Sequence, residues 1–264
     1  MSYPKRLSAV AVAAMFALTG CGSSAAAVRS AAHTKVSAPL WRADPSKGLT
    51  SFEGVETKPG AVTVVNSIYG KAYRFATSGV KIDASTRVRV ESRGQRTAGG
   101  SPLRFSRDGD VFYVGWRSMW GPLPTKKGNW VVLWQLKDYG SGAATPPLSI
   151  RARGNGRIDL EYADPALHTT QLWSAPLTLN HWNSFVIGFK VSKNPSKGWV
   201  QFWYNGKRQT MTGRTAQFKA ATLRADFVTD KWGVYRSDGV TGAATAWLSN
   251  ARVGLSYASV AFAQ

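Results

Sequence analysis

The chain has 264 residues with 44% apolar content, enough for one large core, and carries 34 Lys+Arg against 14 Asp+Glu, a formal charge of +20. Its single cysteine excludes an internal disulfide, and so large a positive excess implies an anionic partner such as nucleic acid, a membrane surface or an acidic polymer. The sequence holds no Gly-rich phosphate loop and no His/Cys metal cluster.

At the N-terminus, Lys5 and Arg6 precede a short run of small and apolar residues, Leu7–Leu18. That run is too short to span a bilayer and reads as the core of a secretory signal, residues 1–20. It ends in Leu18-Thr19-Gly20-Cys21, which resembles the bacterial lipobox. The resemblance implies cleavage before Cys21, a lipid on its sulfur, and a protein exported and anchored on the outer side of a membrane. Plain secretion with cleavage nearer Ala25–Ala27 is the alternative. Residues 21–38, rich in Ser and Ala, then form a flexible tether. Losing Lys5 and Arg6 with the signal lowers the +20 to +18. The remaining residues 39–264 number about 225, within the range of a single all-β domain.

No window shows sustained helical periodicity. The pattern is a series of alternating strands separated by Gly, Pro, Asn and Asp clusters. Residues 86–92 put Arg87, Arg89 and Glu91 on one side and Val88 and Val90 on the other. A long strand over 110–120 ends at Gly121-Pro122. Over 131–140, Val132, Trp134 and Leu136 share one face, and Leu133, Gln135, Lys137 and Tyr139 share the other. A solvated outer face accounts for the polar trio of that strand as readily as a site does. A hairpin turns at Asn155-Gly156, strands over 184–192 and 198–209 flank Lys193–Lys197, and strands over 231–237 and 246–257 close the chain. So many short strands predict a β-sandwich or jelly roll. Of the 11 Trp and nine Tyr, most belong in a core, and the rest could line a sheet face that stacks sugars. Export disfavours nucleic acid as the partner, and the cations are spread along strands instead of one arm or helix. An acidic polysaccharide fits better.

Four segments, in order, resemble motifs of the jelly-roll polysaccharide lyases, the group holding heparin lyase I-like, glucuronan lyase and alginate lyase-type proteins. Arg89-Val90-Glu91 matches an Arg-x-Glu strand. Gln135-Leu136-Lys137 with Pro146-Pro147-Leu148 is similar to their Gln-x-His strand and the Pro-Pro-Leu after it. His181-Trp182 and the hairpin from Gly198 to Lys207 resemble a third motif, and Lys231-Trp232-Gly233-Val234-Tyr235 a fourth. The resemblance spans roughly residues 50–257 and implies a concanavalin A-like jelly roll.

It also implies β-elimination at a uronic acid, with neither metal nor cofactor. A base removes the C5 proton, the bond from C4 to oxygen breaks, and the sugar carboxylate must be neutralised as charge develops. Matched position by position, Arg89 and Gln135 stand where the carboxylate is neutralised. Tyr235 and Lys137 stand at the proton-transfer positions. Arg87, Lys231, Arg151 and Trp203 are expected to bind substrate, and the protein is expected to act as a monomer. Tyr235 could equally be a core or rim phenol, and Arg89 an ion-pair partner of Glu91 or a neighbouring strand.

Two positions depart from the family. Lys137 replaces a histidine, and an amine of pKa about 10.4 is a poor base unless burial and nearby cations depress it. Otherwise Lys137 binds carboxylate, or catalysis has been lost. Thr229 stands where alginate-type members have tyrosine. His33 falls in the tether, and His168 and His181 read as surface or structural residues. A glycosidase would need two carboxylates astride the bond; Asp159 and Glu161 are the nearest pairing but lack the jelly-roll glucanase pattern. The remaining rival is a lectin-like module that binds an acidic glycan without cleaving it.

Overall fold

In the computed structural model, alternating strands cover most of residues 37–81, 83–84 and 87–262, the portion of the chain described here. The signal segment 1–20, Cys21 and most of the tether lie outside the described residues. In chain order the strands are β1 (Trp41–Arg42), β2 (Phe52–Lys58), β3 (Ala61–Ser67), β4 (Gly70–Thr77), β5 (Arg89–Arg96) and β6 (Pro102–Leu103). Next come β7 (Val111–Trp120), β8 (Trp130–Tyr139), β9 (Leu148–Arg153), β10 (Arg157–Ala163), β11 (Thr169–Pro176) and β12 (Asn183–Lys190). The last are β13 (Trp199–Tyr204), β14 (Lys207–Arg208), β15 (Phe218–Lys219), β16 (Phe227–Arg236) and β17 (Ala244–Gly254). A short helix, α1 (Tyr257–Val260), follows.

These strands form two antiparallel sheets. One runs β14-β13-β12-β7-β17-β4-β3, with β1 on β17 and β15 on β13; the other runs β11-β10-β9-β8-β16-β5-β2, with β6 on β5. The chain crosses repeatedly between sheets, at β1 to β2, β2 to β3, β4 to β5, β6 to β7, β7 to β8, β11 to β12, β15 to β16 and β16 to β17, which is the wiring of the expected jelly roll. Among the strands longer than two residues, β2, β3, β4 and β11 are not legible as strands in the sequence. Three of them, β2, β3 and β11, lie at the sheet ends, where both faces are partly wet and alternation is weak.

An aromatic layer joins the sheets. Trp116 stacks on Trp134 at 5.2 Å and on Phe185 at 5.1 Å, and Trp232 meets Trp116 edge-on at 6.2 Å. All four are buried, and each ring removes a large apolar area from water. Strand β8 corrects one expectation. A bulge between Val132 and Trp134, opposite β9, shifts the alternation by one residue. Leu133 therefore joins Trp134 and Leu136 in the core, while Val132 faces out with Gln135 and Lys137.

One carboxyl sits inside this layer. Asp230 is fully buried and accepts from the Trp134 Nε1–H at 3.0 Å and from the Gln95 amide. Burial pushes it up from 3.8 to about 7, with the two donors pulling the other way. A carboxyl raised in the folded state binds more protons folded than unfolded between those values. Its contribution to stability is therefore full below 3.8 and is lost as pH rises through about 7. Urea unfolding of the wild type should show this declining segment, and Asp230→Asn should lack it.

Candidate active site

The outward face of the eight-stranded sheet carries a cleft because five adjacent strands, β9-β8-β16-β5-β2, turn their polar alternates the same way. Register brings the residues into line. Lys231 lies opposite Gln135, and Tyr235 lies opposite Arg89 on one side and Val132 on the other. Val132 in turn faces Arg151 across the β8–β9 pair. A cleft of about 490 Å³ is lined by Arg87, Arg89, Gln135, Lys137, Arg151, Lys231 and Tyr235, together with Trp130. An adjoining hollow of about 770 Å³ shares Arg87, Arg89 and Tyr235 and adds Glu56 and Lys58. Seven of the eight residues expected at the site thus meet in one place.

The floor of the cleft is a buried ionic network around Glu91, which is 1% exposed. Gln135 Nε2 donates to Glu91 Oε1 at 2.7 Å. Lys231 Nζ lies 3.0 Å from Glu91 Oε2 and 2.8 Å from Glu56 Oε2. Arg89 bonds Glu56 at 2.6 Å and approaches Glu91 at 3.4 Å. Burial works against the charge on Arg89, but Glu91 and Glu56 overcome it and hold the guanidinium above its ordinary value. Burial likewise pushes the Glu56 carboxyl up, and Lys231 and Arg89 more than offset it. Arg89 is therefore ion-paired, with Glu56 on the neighbouring strand and with Glu91, and it also lines the cleft.

Tyr235 lies on the cleft side and not in the core. Its ring sits 3.9 Å from the Arg89 guanidinium, its oxygen accepts from Arg87 at 3.3 Å, and its edge meets Trp130 at 5.0 Å. Gly233 makes this placement possible. Its φ is +140°, and a Cβ there would collide with the Val90 carbonyl oxygen. Trp130 lies between Arg87 at 5.6 Å and Arg151 at 5.7 Å.

Lys137 has different surroundings from those a basic amine needs. Its Nζ donates to Asp138 Oδ1 at 2.6 Å and to the Ala144 carbonyl at 2.7 Å. Asp138 is buried and also accepts from the Ala144 N–H at 3.0 Å. The lysine thus fastens the loop after β8, whose Thr145 and Pro146 form one wall of the cleft. Its nearest charge is the buried Asp138 carboxylate.

Trp203 is the expected site residue that the fold does not deliver. It belongs to β13 in the opposite sheet and is buried, with Tyr257 of α1 stacked on it at 4.6 Å. Asp159 and Glu161 are buried too. Arg153 pairs with both, and Arg151 adds a 3.3 Å contact to Glu161, so they do not straddle an open cleft. His168 is exposed and bonds Asp164 at 3.2 Å, and His181 is exposed just after the turn at Leu179 and Asn180. Glu56 and Trp130 are the members that sequence reading missed. Glu56 lies on the unrecognised β2, and Trp130 stands one residue before the recognised run, in phase with Val132.

Removing Glu91 strands buried Lys231 without its inner partner. Glu91→Ala should cost about 3–5 kcal/mol, the usual penalty for breaking a buried ion pair from one side. Glu56→Ala, at a half-buried position, should cost less. Denaturant unfolding of the two variants checks the ranking.

A family model described as polysaccharide lyase matches residues 49–252. A search of the curated proteins finds no match. Among solved structures, the endo-β-1,4-glucuronan lyase of the fungus Trichoderma reesei is similar with a TM-score of 0.61 at 16% identity, over 79% of this chain and 93% of that one. An alginate lyase from Chlorella virus gives 0.54 at 14% identity, over 83% and 100%. The family 7 alginate lyase of Zobellia galactanivorans gives 0.53 at 14%, over 78% and 96%. At such identities these likenesses speak for the sandwich itself. The family match runs from before β2 into β17 and so takes in every strand that lines the cleft, and on that ground the chain belongs to the polysaccharide lyase family.

Proposed function

We propose that the protein is an exported lyase that cleaves a uronate-containing polysaccharide by β-elimination. The observation that carries this reading is the meeting of Tyr235, Arg87, Arg89 and Gln135 in one cleft whose acids lie beneath its cations. A uronate carboxylate needs positive charge and N–H donors as the C5 carbanion develops. Arg87 and Arg89 supply the charge. Gln135 directs one amide hydrogen to Glu91 and keeps the other. The C5 proton passes to the Tyr235 oxygen acting as a phenolate, the C4–oxygen bond breaks, and the departing oxygen takes that proton from the phenol, which regenerates the phenolate. The product carries a C4–C5 double bond. Because its amine is engaged with Asp138 and Ala144, Lys137 holds the loop that walls the substrate and is not the base. The glucuronan and alginate lyases with this sandwich point to polyuronates as the substrates to try first.

Ultraviolet absorbance of the unsaturated product reports turnover on a panel of polyuronates. Tyr235→Phe should lower turnover by about 10² or more while leaving polymer binding in place. Lys137→Ala should lose less than Tyr235→Phe; an equal loss would make the lysine a proton-transfer group. Wild-type protein that binds a polyuronate and never releases unsaturated product would show a lectin in place of a lyase.

We also propose that Cys21 carries a lipid that tethers the domain, as a monomer, to the outer side of a bacterial membrane. The Leu18-Thr19-Gly20-Cys21 run supports this, because two acyl chains on one residue give stable anchoring where a single chain is marginal. Membrane fractionation should find wild type with the membranes and Cys21→Ser released or unprocessed. A soluble wild type beginning near Val28 would contradict it.

A further inference from the structure

The outer face of the nine-stranded sheet bears a second group of cations with a different character. Trp116 of β7 points into the core, so its neighbour Arg117 points out. The guanidinium of Arg117 is held between two rings, 4.1 Å from Tyr69 and 4.1 Å from Phe262. It forms one wall of a depression of about 200 Å³ that also includes Trp182, Ser184 and Asn205. Trp182 meets Tyr69 edge-on at 5.6 Å, and both rings are partly exposed. Arg252 lies beside them, 4.8 Å from Phe262, and its buried Nε has no hydrogen-bond partner. Arg74 rests over Trp247 at 5.9 Å on the same face.

The contrast with the cleft lies in the partners. Each cation on the cleft floor has a carboxylate within 4 Å. Among the described residues, Arg74, Arg117 and Arg252 make no ion pair, and Arg117 makes no hydrogen bond either. A desolvated guanidinium fixed by ring stacking, with its N–H fork unused, is built to take a bidentate anion. An indole beside it offers a flat apolar surface to the C–H face of a sugar ring.

We infer that this depression is a second carbohydrate-binding site, which holds one uronate residue of an acidic polysaccharide through Arg117 and Trp182. The inference rests on the polyuronate reading given above. It deepens that reading by adding a contact remote from the chemistry. The two sheets pack about 10 Å apart, so the segment held here is a different one from the segment in the cleft. The site would keep the enzyme on a polymer between cleavages.

Affinity electrophoresis of the full chain through gels containing polyglucuronate or polymannuronate, with neutral dextran as control, reads this site. Arg117→Ala, which removes a charge-assisted contact, and Trp182→Ala, which removes a stacking surface, should each weaken retention by about tenfold. Their rates on a short oligouronate should match wild type. Thermal unfolding of both variants checks that the sheet is intact, and Trp182→Ala leaves the arginine in place if Arg117→Ala proves unstable. Equal retention of wild type and both variants would overturn the inference. So would unchanged retention accompanied by lost binding to phosphatidylglycerol vesicles, which would make the patch a membrane contact. If no polymer yields unsaturated product while retention still depends on Arg117, the lyase reading fails and this site stands. Normal product with no Arg117 dependence of retention leaves the lyase standing and removes the second site.

Discussion

Trp134 and Trp232 lie opposite one another on β8 and β16, and both point into the core. The cleft depends on that pairing. Two buried indoles on adjacent strands set the phase of both, because turning either outward would expose one of the largest apolar surfaces a residue has. With side chains alternating, their neighbours Gln135 and Lys231, themselves opposite each other, must face away from the core. Gly233 then allows β16 to pass close to β5, and Tyr235 emerges between Arg89 and Trp130. The chemistry of one face is thus placed by the packing of the other.

The cations of the cleft are fixed before any substrate arrives. Glu91 and Glu56 hold Arg89 and Lys231 at set positions, and Glu161 does the same for Arg151. A site that stabilises developing negative charge works best when its donors need no reorganisation. Buried acids beneath surface cations provide that rigidity. They also offset part of the positive charge in the cleft. Further positive charge lies on the opposite face, where Arg74, Arg117 and Arg252 rest on aromatic rings and, among the described residues, pair with no acid.

Much of the cleft was legible in the alternation of single strands. Arg87, Arg89 and Glu91 on one side, and Gln135 with Lys137 on one side, followed from period 2 alone. Val132 and Leu133 were misplaced because a bulge breaks that period, and nothing in the residues themselves marks it. Trp203 was misassigned for another reason. Its strand alternates as expected, but only the sheet order shows that β13 belongs to the layer away from the cleft. Glu56 was missed because its strand, at the edge of its sheet, alternates too weakly to be recognised.

By itself the sequence determined the all-β class, the excess of cations and the face of its strand on which most polar residues would lie. These are local properties, set by side-chain period and composition. Which strands become neighbours was decided only by tertiary structure, because antiparallel partners here lie as far apart as Tyr235 and Arg89. The surroundings of Lys137 were decided there as well. A lysine beside cations and a lysine beside a buried carboxylate read identically in sequence, and the position of Asp138 and the Ala144 carbonyl makes this one a fastening for the loop.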